Sequence, residues 1–593
     1  MTIDANGPVT EPDVASATRL EPDVSELDVS ELDVAGPDVL DPERDRNRST
    51  GRMNRKAADV GTAVADWVRS LGVTPAEEVS PHEPPPGAHL AALPSRRLDG
   101  LTFLSALSGL VGTLLIAASA PVWAHAAPSW RLVVPGVPHP GSSFVAAAFF
   151  TAGLVLLGFG WVGLIGRAER LAGSERRKWV TVVAVGILWA LPVLLGPPLL
   201  SNDVYSYAAQ GEMASRGVDP TACGPVCLGR GDFLTPVDGT WRTAPAPYGP
   251  VWIGLSKGVV AASGHDPALA VWGFRLVALI GVLLAAVGVV QIARFCGVPD
   301  TVALAVGIVN PLVIIYLIGG SHNDALMMGF LTLGVAAALR DKRALAIVLI
   351  ALATAIKLPA AAALLFVGWH FAGVGAPLRK KLIETVKVVA PAMALIAAFC
   401  VIFGVGIGWI TALQNTGKVM DTFSLMTMLG YFASDGTNLL VESRTNPEVL
   451  VTPIRMVGVA ISGLISLVLL AKIGKVGLPR AIGFSMLVVV ALGPVMWPWY
   501  LPAGFALIAA AGLGRYRPSY LVVVVAATAL VWPTSVDPIY QLVEYQRILS
   551  FGVIVLIGVC ALIAQKWAVQ REARRVIRRR EAMDRYEEQL VTA

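Results

Sequence analysis

Asp203 stands where a long apolar run ends, in SNDVYSYAAQGEM (Ser201–Met213), and Tyr205, Tyr207 and Gln210 follow it closely. A charged group beside lipid is costly and is by default a functional residue. On a helix, Asp203 shares a face with Tyr207, four residues on, and with Gln210, roughly two turns on. A carboxylate beside phenols and an amide suits a site for hydroxyl-rich ligands. The carboxylate accepts a proton from an attacking hydroxyl, and the other groups hold the ligand. The structural alternative is an aspartate that caps a surface helix. One side chain can do both, because a capping aspartate is held rigidly.

Further polar clusters interrupt apolar runs. Tyr248 lies between two prolines in APAPYGPVW, a stiff entry to the next segment. With Trp252 it suits an interfacial aromatic belt or a stacking surface for a sugar or an isoprenoid. His322, Asn323 and Asp324 follow two glycines in GGSHNDALM. They form either a helix–helix turn facing water or a second part of the site. His-x-Asp alone lacks the ligands a metal needs. Lys357 separates two short apolar segments, where it either meets an anion or snorkels to headgroups. Trp497, Trp499 and Tyr500 mark another break, in GPVMWPWYLPAGF, and read as a belt or as the lining of a groove. Cys223 and Cys227 sit in the polar loop after Asp203. No histidine or further cysteine is near enough to complete a metal site, and a short disulfide is expected if the loop faces an oxidising compartment.

The elements that position these residues are membrane helices. The chain of 593 residues is 55% hydrophobic and 15% charged, with charges crowded into the ends and short connections. Apolar runs reach the roughly 20 residues a span requires, and they lack the alternation of a strand barrel. The fold class is all-α and polytopic, with about 13–14 membrane helices. The net charge of +5 reports topology, not nucleic acid. Basic segments before the first run, at 166–178, 340–343, 377–381, 471–480, 514–518 and after Lys566 read as cytoplasmic. Asp203 then faces outward, after three crossings. Three regions are expected: an acidic cytoplasmic tail at 1–97, without a core of its own and with a short helical pattern at Lys56–Val73; a membrane domain at 98–566; and a basic C-terminal helix at 567–593. No cleavable signal peptide is visible. No Walker or Rossmann glycine motif is present either, so a nucleotide-borne donor is not expected.

SNDVYSYAAQG, APYGPVW and GGSHNDALM together resemble the actinobacterial alpha-(1→6)-mannopyranosyltransferases, membrane-embedded glycosyltransferases of the GT-C type. The resemblance covers about Leu101 to Lys566. It implies a plasma-membrane enzyme that moves mannose from polyprenyl-phosphate mannose to a lipid-linked mannoside. It also implies an inverting reaction that extends the alpha-(1→6)-mannan backbone of lipomannan and related lipoglycans. In that reading Asp203 is the base. Tyr205, Tyr207, Gln210, Tyr248, His322, Asn323, Asp324, Trp499 and Tyr500 bind substrate. Arg275, Lys357 and His322 are candidates for the donor phosphate, where charged donors make strong hydrogen bonds. No cofactor is implied, and no compact carboxylate cluster calls for a metal. The rival readings are an arabinofuranosyltransferase of the same architecture and a polytopic lipid or sugar transporter. A transporter with internal repeats would show paired halves, and neither NDVYSY nor HNDA recurs.

Parity gives one further expectation. If His322 is to share a side with Asp203, the segment Pro250–Gly264 must not cross the membrane. It is about 15 residues long, short of a span, and Lys257 interrupts it. Arg275, early in the next helix, is then expected near the outer face.

Overall fold

The computed structural model describes residues 95–123, 143–168, 175–417, 424–441, 446–529, 552, 555–571 and 574. The acidic tail to residue 94, its short helical pattern and the chain end beyond 574 lie outside the described residues.

The described residues are helical, and six helices are long and apolar enough to cross a membrane: Gly100–Val122, Phe144–Ala168, Arg176–Leu195, Pro267–Phe295, Leu378–Phe403 and Glu448–Ala471. Their outward faces carry large apolar side chains. Phe103, Phe144, Phe159, Leu276, Leu283 and Leu467 are all more than half exposed. Apolar surface on this scale needs a nonaqueous partner, and only helices and closed barrels satisfy their backbone in lipid. The protein is an all-α polytopic membrane protein. Seven shorter apolar helices, among them Pro250–Ala262, Asp324–Leu339 and Arg343–Ile356, complete the packing.

Three local features set the site. The helix Arg176–Leu195 ends at Gly196-Pro197-Pro198, and the chain turns into a new helix, Asp203–Ser215. Elsewhere, the apolar run Thr301–Ile318 is broken. A helix at Asp300–Gly307 stops before Pro311, which has no N–H to continue it. Asn310 bridges the break, donating to the Gly307 carbonyl at 2.9 Å and accepting from the Val313 N–H at 3.1 Å. Val313–Gly319 then winds as a π-helix, a form that often marks functional sites. It delivers the chain to Ser321 and His322.

The two turns are tied to each other. The Leu199 N–H donates to the Gly319 carbonyl at 3.1 Å. Leu200 and Ser321, one in each turn, both adopt left-handed backbone, with φ of 57° and 56°. Non-glycine residues hold that conformation only where their surroundings enforce it, and such positions cluster at functional sites. The helix Asp324–Leu339 crosses Pro267–Phe295 at small residues. A Cβ on Gly329 would come within 2.7 Å of the Gly281 carbonyl oxygen, so glycine is required for this approach.

Pro250–Ala262 is a helix of 13 residues. At 1.5 Å per residue it is about 20 Å long, well short of the roughly 30 Å hydrocarbon core. It packs against Asp203–Ser215 and does not have the length to span.

Candidate active site

The residues expected to act together meet around one cavity of about 720 Å³. Asp203, Gln210, Tyr248, Asp324, Lys357, Trp499 and Tyr500 line it. His322, Asn323 and Tyr207 sit one layer behind. The cavity thus draws on the turn at Gly196–Asn202, the start of the helix at Asp324, the segment before Pro250, the break at Lys357 and the break at Pro494–Tyr500.

Asp203 is the first residue of its helix, and its carboxylate is not used as a cap. Instead its Oδ2 lies 3.4 Å from His322 Nδ1, and its N–H donates to the Ser201 hydroxyl at 3.1 Å. The Asp203 side chain keeps 16% exposure while His322 has none, so a ligand reaches the carboxylate and not the imidazole. Burial pushes the carboxyl up, but the His322 ring, the Lys357 ammonium and the Ser201 hydroxyl outweigh it and hold the group below its ordinary value. At neutral pH it is ionised and able to accept a proton.

His322 is clamped by aromatic rings. Trp499 stacks on it with centroids 4.1 Å apart and planes 15° apart. Trp497 stacks on the other side of Trp499 at 5.0 Å and 5°. Trp497 and Trp499 also wall the cavity.

Lys357 follows the helix Arg343–Ile356. Its ammonium donates to Asp324 Oδ2 at 2.6 Å, with Asn323 Oδ1 at 3.5 Å. It lies 4.3 Å from the centre of the Tyr500 ring. In low dielectric the Coulombic gain of such a pair is largely offset by desolvation, so its value lies in placing a cation at the wall. The backbone holding it is fixed from the other side. The Gly249 N–H donates to the Ile356 carbonyl at 3.2 Å, and a Cβ on Gly249 would come within 3.0 Å of Ala355 Cα.

Tyr207 points away from the cavity into an aromatic cluster with Tyr248, Trp252 and Phe274, at centroid distances of 5.4, 4.9 and 5.9 Å. Its hydroxyl lies 3.4 Å from Asn323 Oδ1. Burial and the neighbouring Tyr248, Asp203 and Asp324 raise its phenol well above the usual range, so it stays a donor. Trp252 is buried in this cluster and is not part of a belt.

Arg275 and Tyr205 are placed away from the cavity. Arg275 is 1% exposed and does not line the cavity. Its guanidinium donates to the Leu194 and Gly196 carbonyls at the end of Arg176–Leu195, where helix carbonyls lack partners. With those bonds made, the guanidinium stands away from the cavity. Tyr205 is likewise buried and does not line the cavity, because positions 203, 206 and 210 face it and position 205 does not.

Ser206 is the site residue the sequence reading missed, although its spacing of three from Asp203 places it on the same face. Asp238, Thr240, Trp241 and Pro245 of the following loop also line the cavity. In that loop Cys223 and Cys227 form a disulfide. Among the described residues no group of three His, Cys, Asp or Glu side chains could hold a metal ion.

Comparison with known proteins names the family. Residues 106–373 match the model for the alpha-(1→6)-mannopyranosyltransferase N-terminal domain, and residues 426–564 match that for the MptB C-terminal domain. A probable alpha-(1→6)-mannopyranosyltransferase of Mycolicibacterium smegmatis is 32% identical over 395 residues, covering 60% of this chain and 69% of that one. A relative from Mycobacterium tuberculosis is 30% identical over 476 residues, covering 70% and 79%. Alpha-(1→6)-mannopyranosyltransferase B of Corynebacterium glutamicum is 29% identical over 432 residues, covering 67% and 71%. No solved structure matches the chain significantly. The chain belongs to the alpha-(1→6)-mannopyranosyltransferase family.

Proposed function

We propose that the protein transfers mannose from polyprenyl-phosphate mannose to a lipid-linked mannoside, with inversion, and so extends an alpha-(1→6)-mannan backbone of lipomannan type. One observation carries the reading: Asp203 and Lys357 open on the same cavity, beside an apolar wall that includes Met327, Leu358, Ala362, Met486, Val489 and Val490. A carboxylate, a cation and an apolar groove match the acceptor hydroxyl, the phosphate and the polyprenyl chain.

The acceptor 6-hydroxyl attacks the anomeric carbon from the face opposite the phosphate. A new carbon–oxygen bond forms as the bond to the phosphate oxygen breaks, and configuration inverts. The hydroxyl proton passes to Asp203. The leaving phosphate needs charge stabilisation more than a proton, and Lys357 supplies it. An ammonium has three donors, and Asp324 occupies one. His322 holds the Asp203 carboxylate, with Trp499 fixing the ring.

The chain is read as a plasma-membrane protein with cytoplasmic termini and an outward cavity. Its membrane domain is assigned to 98–566, between the two tails. Support comes from charge placement. Asp203 follows the spanning helix Arg176–Leu195, whose opposite end is basic at Arg176–Lys178. Positive ends mark the cytoplasmic side.

The test uses membranes containing the protein, a short mannoside acceptor, and polyprenyl-phosphate mannose or polyprenyl-phosphate arabinose. Transfer from the mannose donor is expected, with an alpha-(1→6) product. Transfer from the arabinose donor alone, or from neither, would refute the reading.

A further inference from the structure

Two polar side chains on the cavity wall have no partner of their own. Ser206 and Gln210 are each 4% exposed, and both line the cavity. Neither the Ser206 hydroxyl nor the Gln210 side-chain oxygen meets a hydrogen-bonding group of the protein. An orphaned buried polar atom carries an uncompensated desolvation penalty. Both oxygens lie just under the wall, where a side-chain rotation toward a ligand in the cavity would satisfy them.

Their placement says which ligand. Ser206 and Gln210 follow Asp203 by three and seven residues and form one stripe on its helix. At 1.5 Å rise per residue, Gln210 lies about 10 Å from Asp203 along the axis, about the length of two sugar rings. A hydroxyl and an amide exchange hydrogen bonds with sugar hydroxyls, and neither neutralises a phosphate. Among the described lining residues the one Lys or Arg is Lys357, on a different element. The base must adjoin the nucleophile, so the stripe that continues from the base follows the nucleophile's own chain.

We infer that the Asp203–Ser206–Gln210 stripe is the acceptor subsite. Ser206 binds the mannose under attack, and Gln210 binds the sugar that precedes it. This rests on the reading of Asp203 as the base of a mannosyl transfer. It makes Gln210 a determinant of acceptor length.

Ser206→Ala and Gln210→Ala are compared with the unaltered protein in membranes. The donor is polyprenyl-phosphate mannose, and the acceptors are an alkyl mannoside and an alkyl alpha-(1→6)-dimannoside. Loss of one hydrogen bond is expected to change the relevant constant about 3- to 10-fold. Gln210→Ala should lower the preference for dimannoside over mannoside, as a ratio of kcat/KM, by that factor. Ser206→Ala should raise KM for both acceptors alike. If Gln210→Ala does not fold, Gln210→Asn shortens the reach while keeping the amide and reads the same ratio. An unchanged ratio, or a rise in donor KM in place of acceptor KM, overturns the subsite. Failure of the unaltered protein to transfer mannose would strike the functional reading instead, and so is told apart.

Discussion

His322 Nδ1 lies 3.4 Å from Asp203 Oδ2 across two separate turns of the chain. This contact, with Lys357 and Ser201, holds the Asp203 carboxyl below its ordinary value despite its burial. A group with a depressed folded value contributes stability that is present above its unfolded value. That contribution is lost as pH falls through the folded value. The acid limb that Asp203 imposes on kcat/KM is therefore expected below the ordinary aspartate range. His322→Leu removes the largest of the influences that oppose burial, leaving Lys357 and Ser201, so the limb should move to higher pH. Trp499→Ala, which frees the ring, should move it the same way by less. A limb that stays put in both variants would separate His322 from the base.

Asp203→Asn keeps the size of the side chain and removes the base. Loss of a positioned general base costs about 10²–10⁴-fold in rate. The variant should insert normally and transfer almost no mannose. Turnover near that of the unaltered protein would end the assignment.

Lys357 and Asp324 should behave as a unit. Removing one partner of a buried pair strands the other and costs about 3–5 kcal/mol. Lys357→Met alone is expected to lower thermal stability sharply. Lys357→Met with Asp324→Asn should regain much of it and still show a raised donor KM. A double variant with normal donor KM would mean that Lys357 does not meet the phosphate.

Arg275→Lys tests the role of that residue. A lysine cannot reproduce the planar fork that reaches two carbonyls at once. Stability should fall, with no selective effect on donor KM. Normal stability with a specific donor defect would restore Arg275 to the site.

Cys223 and Cys227 should resist thiol reagents until a reductant is added. Mass spectrometry of the labelled loop reads this directly. Labelling of both residues before reduction would contradict the disulfide.

The sequence was legible wherever charge interrupted an apolar run. Asp203, His322–Asp324 and Lys357 stand out for that reason, and all belong to the cavity wall or the layer behind it. Arg275 stood out on the same grounds yet lies away from the cavity, and a run of apolar residues does not reveal which carbonyls await a cap. Ser206 was passed over because a serine in a helix carries little signal without knowledge of which face is hollow. The break at Pro311 was visible as Asn-Pro, yet apolar flanks concealed it within an expected span. The tie between Leu199 and Gly319 joins residues 120 positions apart, and local pattern says nothing about such pairs.

The cavity is closed by two stretches of chain that answer to separate family models. Asp203, Tyr248, Asp324 and Lys357 come from one, and Met486, Val490, Trp497 and Tyr500 from the other. The stack of His322 on Trp499 crosses that seam. The two halves are thus a matched pair that cannot be traded independently. A chimera joining the first half of this protein to the second half of a relative would keep the stack only if the relative supplies an indole at the place of Trp499. Coexpressed fragments would have to dock within a fraction of an ångström to rebuild the wall. Recombination between paralogues should therefore succeed only when both halves move together.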